Sequence, residues 1–219
     1  MNIEERRKQF EEYLERLINE VMFIDSTLEL YIHLMNKRID RINELNMAPA
    51  FFGLTINCFL ASTVISLAKL YENYNGKNRS DRNICKFLNF IEQNSDIFTQ
   101  DEETLQKFRC NYRVDSLLIK KHRKLIEDSK SKLDNLFYWR DKCYAHNDKK
   151  YFLDSTALGN DAGLTIKSFR ELIKLAQDIL NDYSIAYSGT YKSIRATNLF
   201  DIDHVLDALH DYNQKNADI

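Results

Sequence analysis

Apolar residues recur along the first part of the chain with alternating spacings of four and three positions. The stripe consists of Phe10, Leu14, Leu17, Val21, Ile24, Leu28, Tyr31 and Met35. This heptad spacing predicts one long helix over about residues 3–46, which ends before Pro49. Two interpretations stay open: the stripe packs only against its own chain, or it also packs against a helix of a partner subunit.

The next stretch, residues 45–68, contains no charged side chain and is long enough to span a bilayer. It also contains Pro49, Gly53 and several Asn, Ser and Thr residues, and it lacks the dense Leu, Ile and Val of a spanning helix. A helix that is apolar nearly all round is equally expected at the centre of a helical bundle. We therefore predict a central bundle helix and no membrane span.

Two shorter helices are predicted to follow, each with a polar start signal. Ser80 is the predicted N-cap of a helix that runs to about Ile91. The sequence Thr99-Gln100-Asp101-Glu102 is a capping-box pattern that opens a helix containing Leu105 and Phe108.

The second half of the chain predicts three more helices. A long helix runs from about Asp115 to Tyr144, and a polar, glycine-bearing loop follows over 147–165. Thr165 can cap the next helix, whose apolar positions again keep a spacing of three and four. A short final helix is predicted over about 201–212.

Composition supports an all-helical protein. The 219 residues include only five glycines and one proline, whereas sheet proteins need such residues at their hairpins. Neither the glycine motif of dinucleotide-binding folds nor that of phosphate-binding loops occurs. No linker-like stretch divides the chain, so we predict one all-α domain over 1–219. The unpaired cysteine spacing and the charged first residues predict a reduced, cytoplasmic protein.

The net charge of -2 conceals a basic segment. Residues 107–150 contain 13 Lys or Arg and 6 Asp or Glu, a balance of +7, so the rest of the chain carries -9. A basic segment on an acidic protein suits a polyanion such as RNA, although a solvated helix face gives the same pattern. The candidate RNA contacts are Lys120, Lys121, Arg123, Lys124 and Lys142.

One arginine stands among apolar residues on the inner stripe of the predicted 115–144 helix. The stripe is Leu118, His122, Leu125, Ser129, Leu133, Leu136, Arg140 and Cys143. Because desolvating a guanidinium is costly, Arg140 needs an anionic partner there. An acid such as Glu72, a subunit interface and a bound phosphate all stay open, and the planar guanidinium suits the last two.

His146 follows Arg140 by six residues. In one straight helix this spacing puts the two residues about 120° apart around the axis and about 9 Å apart along it. Both side chains can therefore contact the same substrate atom only if the helix bends between them, or if two copies of the chain contribute their Arg140 and His146 to one site. Histidine transfers protons near neutral pH, and arginine stabilises negative charge on a phosphoryl group. Arg140 and His146 in one site could therefore catalyse phosphodiester cleavage.

The spacing of Arg140 and His146 is not specific, but its context is. The sequence from Trp139 to Asp148 resembles the Arg-polar-…-His signature of the HEPN superfamily of all-helical nucleotide-binding or RNA-cleaving proteins. Ala145-His146-Asn147-Asp148 and Ser66-Leu67-Ala68-Lys69-Leu70-Tyr71-Glu72 are most similar to bacterial abortive-infection (AbiU-type) HEPN proteins. Lys69 stands where an arginine is common in such proteins. The resemblance covers about Ala50 to Leu180, and the HEPN-like core of the bundle is predicted over about 50–187.

This resemblance implies a homodimer in which two Arg/His motifs form one composite site. It implies metal-independent RNA cleavage by attack of the ribose 2′-hydroxyl, without a cofactor, in a toxin or phage-defence effector that could pair with a cognate antitoxin. His146 would be the acid and base, Arg140 would hold the phosphate, and Asp141, Asn147 and Asp148 would support them. The alternatives are a non-catalytic HEPN module that binds RNA or a nucleotide, and a helical dimerisation scaffold. A metal site is disfavoured because Cys143 and His146 have no second ligand pair at zinc spacing.

Overall fold

The computed structural model describes residues 1–72, 83–99, 101–145 and 157–217. Within these ranges it is helical without strands, which confirms the all-α prediction. The helices are α1 (Ile3–Asp40), α2 (Ile42–Leu45), α3 (Pro49–Tyr71), α4 (Ile84–Gln93), α5 (Glu102–Lys107), α6 (Ser116–Asp128), α7 (Lys130–Trp139), α8 (Ala157–Asp161), α9 (Ile166–Ser188) and α10 (Asp201–Ala217). A 3-10 turn spans Ser95–Ile97, and a π-helix spans Arg140–Ala145.

These elements form two compact units. The first unit contains Met1–Val21 and Val64–Ile194, and the second contains Met22–Thr63 and Arg195–Ile219. Helices α1 and α3 contribute residues to both. That the whole chain forms one domain stays a prediction.

The apolar stripe of α1 packs on its own chain. Six of its eight positions, from Phe10 to Leu28, are buried. Towards the end of α1 the buried face shifts, so that Leu34 is buried where the heptad predicts Met35. The predicted helix over 3–46 is also interrupted, because α1 ends at Asp40 and Arg41 has a non-helical backbone before α2 begins.

The first unit has an aromatic core. The rings of Phe10 and Phe98 meet edge to face with centroids 5.1 Å apart, and Phe87 lies 5.8 Å from Phe10. Tyr183 of α9 packs edge-on against Phe87 at 5.7 Å. Because α1, α4 and α9 all contribute rings, this core joins the start of the chain to the helices around the candidate site.

The second unit has its own apolar cluster and a row of ion pairs. Leu34, Leu45, Phe52 and Leu206 are its buried centre. Beside this centre, three residues of α1, α2 and the junction between them pair with α10. Lys37 pairs with Asp203 at 2.8 Å, Arg41 with Asp207, and Glu44 with His210 at 2.7 Å. The C-terminal helix is thus held by both apolar and charged contacts.

Helix α3 corrects the prediction of a central bundle helix. It is the one described helix long and apolar enough to cross a membrane, yet only 22% of its most apolar 18-residue stretch is buried. Val64, Leu67, Ala68, Leu70 and Tyr71 are buried near its end, whereas Phe51 is 62% exposed and Leu54 66% exposed near its start. Phe52 is buried near the start of the helix, so α3 contributes core residues along its length but is not buried all round.

Several helix starts differ from the predicted ones. Asn83 caps α4, with its side chain accepting a hydrogen bond from the Lys86 amide at 2.9 Å, while the predicted cap Ser80 lies outside the described residues. Asp101, rather than Thr99, caps α5 by accepting from the Thr104 amide. Thr165 does cap α9, in a capping box with Ser168.

The predicted 115–144 helix begins as expected, with Asp115 as its N-cap, but it is not continuous. Ser129 separates α6 from α7, and its hydroxyl donates to the Leu125 carbonyl at 3.1 Å. Such side-chain bonds to the preceding turn compete with the helix and bend it. Two further predictions are corrected in the second half of the chain. A short helix, α8, forms inside the predicted 147–165 loop. The last helix, α10, extends to Ala217, beyond its predicted end near Tyr212.

Candidate functional site

The candidate site lies at the end of α7, where the chain changes from an α-helix to a π-helix over Arg140–Ala145. A π-helix has hydrogen bonds from residue i to i+5 and therefore wider turns, and short π segments frequently occur at functional sites. The angle of about 120° expected between Arg140 and His146 assumed 100° per residue, so it does not apply to this segment.

Arg140 is largely buried and is held between two carboxylates. Its side chain is 18% exposed, its Nε donates to Asp141 Oδ1 at 2.7 Å, and its Nη1 lies 3.5 Å from Glu72 Oε1. The guanidinium carbon also lies 4.9 Å from the ring centroid of Phe137, close enough for a cation–π contact. Of the partners that the sequence left open, the carboxylate of Glu72 is present.

Glu72 is placed by the end of α3. The preceding residue, Tyr71, is fully buried and donates its hydroxyl hydrogen to the Leu172 carbonyl of α9 at 2.7 Å. Burial raises the pKa of the Tyr71 hydroxyl well above its ordinary value of 10.0, so this residue remains a neutral donor. The Glu72 amide donates to the Lys69 carbonyl at 3.2 Å, and its side chain is only 16% exposed.

The π-helix is supported by the segment that begins with α8. Trp139 Nε1 donates to the Ala162 carbonyl at 2.7 Å, and Asn135 Nδ2 donates to the Gly163 carbonyl at 2.9 Å. Leu158 is buried against Trp139 and Cys143. These contacts fix the segment on both sides of Arg140, so the backbone around the guanidinium is held by long-range contacts.

The other predicted site residues are only partly described. Asp141 contacts Arg140 and is itself half exposed. His146, Asn147 and Asp148 lie outside the described residues, so their predicted roles stay predictions. Within the described chain, no group of three or more His, Cys, Asp or Glu side chains is arranged to hold a metal ion.

The predicted RNA contacts separate into two groups. Lys120, Lys121 and Lys124 are exposed on α6, and within the described residues they form no ion pair. Arg123, in contrast, is paired with Glu92 at 2.7 Å and also donates to Asn89 at 2.9 Å. Lys142 lies half-buried in the π-helix beside Arg140 rather than on the α6 face.

A buried histidine lies on α6, away from the site. His122 is 1% exposed, with Nε2 at 3.0 Å from Asp182 Oδ2 and Nδ1 at 3.0 Å from the Tyr183 hydroxyl. Burial raises the pKa of the Tyr183 hydroxyl above its ordinary value. Both ring nitrogens of His122 therefore have partners within the first unit.

Comparison of the sequence with known protein families identifies the family of this chain. The family HEPN AbiU2 matches residues 7–216, almost the whole chain. The chain belongs to the HEPN AbiU2 family. The match confirms the resemblance and extends it beyond residues 50–180 to α1 and α10, so residues of both units belong to the matched region. No curated protein and no solved structure matches the chain.

The sequence reasoning missed one contact of Arg140, the ring of Phe137. The signal for it was available, because Phe137 precedes Arg140 by three residues and residues at that spacing are neighbours on a helix surface. The π-helix had no comparable signal, since its supports at Leu158 and Ala162 are distant in sequence.

Proposed function

We propose that this HEPN AbiU2 protein is a metal-independent endoribonuclease that acts as an abortive-infection effector. The observation that carries the proposal is Arg140 itself, a largely buried guanidinium in the sequence that resembles the HEPN signature. Its planar donor group suits phosphate, and in a partly desolvated position its charge is felt more strongly than in water. The unpaired lysines of α6 add a positive surface for the strand.

The proposed chemistry is an internal transfer within the RNA. His146, acting as base, accepts the proton of a ribose 2′-hydroxyl, and the 2′-oxygen forms a bond to the adjacent phosphorus. The bond from phosphorus to the 5′-oxygen breaks, and a protonated His146 supplies the proton to that oxygen. The products are a 2′,3′-cyclic phosphate and a 5′-hydroxyl, while Arg140 stabilises the charge that develops on the phosphoryl oxygens.

A homodimer completes this proposal. If two His146 side chains share one groove, one can act as the base and the other as the acid. We infer that two chains pool their motifs in this way, in the cytoplasm, and that a cognate antitoxin restrains the activity. Analytical ultracentrifugation of the purified protein tests the dimer, since a monomer at micromolar concentration contradicts a composite site.

A second candidate function is binding without turnover. It is favoured by one observation: Arg140 already has two carboxylate neighbours, Glu72 and Asp141, so a structural role would satisfy its charge. In that case the protein binds RNA or a nucleotide through the same surface and leaves it intact.

The experiment that separates these functions is RNA cleavage by the purified protein in EDTA. We expect cleavage by the natural chain and loss of it in Arg140→Ala and His146→Ala. Equal activity in all three proteins would show that the motif is not the active site. RNA binding without cleavage by the natural chain would establish the binding module instead.

A further inference from the structure

A groove in the first unit lies between α1 and the end of α3, next to the residues that hold Arg140. Its volume is about 440 Å³, within the range of about 300–1,000 Å³ that is typical of small-molecule sites. The buried side chains of Leu17 and Leu70 contribute apolar surface to it. Arg16 of α1 and Lys69 of α3 contribute two positive charges.

Within the described residues, Arg16 and Lys69 are unpaired, like the α6 lysines, whereas several other cations of the first unit have acidic partners. Arg6 is paired with Asp96, Arg123 with Glu92 and Lys132 with Glu171, each at 2.9 Å or less. Arg16 and Lys69 are exposed, and neither side chain forms a hydrogen bond or an ion pair with the described part of the chain. Their charges are therefore available to an anion.

Lys69 connects the groove to the candidate site. It precedes Glu72 by three residues, and such residues have Cβ atoms about 5–6 Å apart on a helix. The Glu72 amide donates to the Lys69 carbonyl at 3.2 Å, while the Glu72 carboxylate lies 3.5 Å from Arg140. The end of α3 thus contributes Lys69 to the groove, and the next residue after the helix, Glu72, contacts the guanidinium.

The remaining lining of the groove suits a nucleotide better than a bare anion. Tyr13 offers an aromatic ring, whose orientation is fixed because its hydroxyl donates to the Asn83 carbonyl at 3.2 Å. Asn19 and Glu20 offer hydrogen-bonding groups for a base or a ribose. Glu20 also offsets one of the two positive charges, so a simple anion gains little here without the apolar contacts.

We propose that this groove is a subsite for single-stranded RNA, in which Arg16 and Lys69 bind the backbone phosphate beside the one at Arg140. The proposal rests on the proposed function, because it takes Arg140 as the position of the scissile phosphate. The neighbouring base lies against the half-buried ring of Tyr13, since bases stack on aromatic side chains regardless of their identity. The groove therefore sets strand affinity and position more than it sets sequence specificity.

The test measures binding of a fluorescently labelled 12-nucleotide single-stranded RNA by polarisation, using the full chain with His146→Ala so that the RNA is not consumed. Adding Arg16→Ala and Lys69→Ala is expected to weaken binding about tenfold near physiological salt. Loss of two phosphate contacts also lowers the slope of log affinity against log salt by about 1.4, since each contact contributes about 0.7 on a single strand.

Two control proteins make this result specific. Lys167→Ala with Lys174→Ala removes the same charge from α9, where both lysines pair with acids of their own helix, and binding should change less than twofold. Arg16→Lys with Lys69→Arg keeps both charges and should also bind within twofold of the parent. Circular dichroism melting curves show that each variant is folded, as expected for exposed positions.

The outcomes separate the groove from the catalytic proposal. If the Arg16→Ala, Lys69→Ala protein binds RNA as tightly as the parent and with the same salt slope, the groove is not a subsite. If binding is lost as expected but the natural chain never cleaves RNA, the groove stands and the nuclease fails. If AMP or a poly-glutamate peptide binds as tightly as RNA with the same dependence on Arg16 and Lys69, the assignment to an RNA strand is overturned.

Discussion

Arg140 Nη1 and Glu72 Oε1 lie 3.5 Å apart, although 68 residues separate them in the sequence. Any phosphate that binds Arg140 must compete with this carboxylate and with Asp141 on the other side of the guanidinium. Glu72 therefore controls how much of the Arg140 charge is available to a ligand, whichever function the site performs.

Replacing Glu72 should strengthen phosphate binding. In Glu72→Gln the size of the side chain is kept and its charge is removed, so we expect RNA to bind about threefold to tenfold more tightly, because one competing charge is gone. Polarisation with labelled RNA measures this. Glu171→Gln removes an exposed acid that pairs with Lys132 and should leave affinity unchanged. Weaker binding in Glu72→Gln would mean that Glu72 positions Arg140 rather than competing for it.

His122 should matter for stability and not for RNA binding. His122→Ala leaves a cavity in the core and removes the partner of the Tyr183 hydroxyl, which we expect to lower the free energy of unfolding by about 3 kcal/mol. His204→Ala, at an exposed position of α10, should change it by less than about 0.5 kcal/mol. Urea unfolding followed by circular dichroism measures the stability of both variants. If His122→Ala were as stable as His204→Ala, the hydrogen bonds of His122 with Asp182 and Tyr183 would not stabilise the fold.

Two adjacent phenylalanines of α3 should respond differently to the same change. Phe52 is 4% exposed within the apolar cluster of the second unit, so Phe52→Ala should cost about 3–5 kcal/mol of unfolding free energy. Phe51 is 62% exposed, and Phe51→Ala should cost less than about 0.5 kcal/mol. Thermal unfolding of the two variants checks the orientation of α3, and a large loss in Phe51→Ala would show that this face is covered.

The second unit should lose stability in acid through Glu44. The hydrogen bond with His210 lowers the pKa of this buried carboxyl below its ordinary value of 4.5. A lowered folded-state pKa gives stability that is present above pH 4.5 and is lost as the pH falls through the folded-state pKa. Asp203 acts in the same direction, because hydrogen bonds from Lys37 and then His33 lower its pKa.

Unfolding curves of the natural chain and of Glu44→Gln, measured between pH 7 and pH 3, test this assignment. Glu44→Gln should be the less stable protein at neutral pH, and the difference should shrink as the pH falls below 4.5. The other carboxylates are common to both proteins and cancel in the comparison. A difference that stays constant with pH would show that Glu44 does not contribute through its charge.

Gly189 should be the least replaceable glycine among those described. It ends α9 with φ at +68°, and an added Cβ would lie 2.7 Å from the Phe108 ring. Gly189→Ala should therefore cost about 2 kcal/mol, from the left-handed backbone and from the displaced ring. Gly159→Ala in α8, where the added Cβ meets nothing within 4 Å, should be neutral or slightly stabilising. Chemical unfolding compares the two variants.

Local chemistry explains which helix starts could be predicted. Thr165 caps α9 as expected, and the helix predicted to begin near Asp115 has Asp115 as its N-cap. An N-cap depends only on the side chain and on the amides two or three residues later. The start of α5 was misplaced because Thr99 and Asp101 both have capping side chains. In the structure Thr99 instead accepts a hydrogen bond from the Asp101 amide at 3.2 Å. Sequence pattern does not decide between two capable neighbours.

Tertiary contacts explain what could not be predicted. Composition identifies α3 as apolar but does not say which of its faces another helix covers, so the exposure of Phe51 and Leu54 had no sequence signal. At the site, the inner position of Arg140 correctly required an anionic neighbour, and Glu72 was one of the partners left open. The choice among them depended on how the end of α3 meets α7, which local pattern does not encode.

The π-helix after Trp139 also has a consequence for the numbering of the motif. One such turn holds one more residue than the α-helical turn it replaces, so the separation in sequence between Arg140 and the residues after Ala145 does not fix their separation in space. Deleting one residue from this segment would let it return to α-helical bonding, because the π turn accommodates the extra residue that the deletion removes. Over evolution, one residue can therefore be inserted into this segment or deleted from it while α7 keeps its structure.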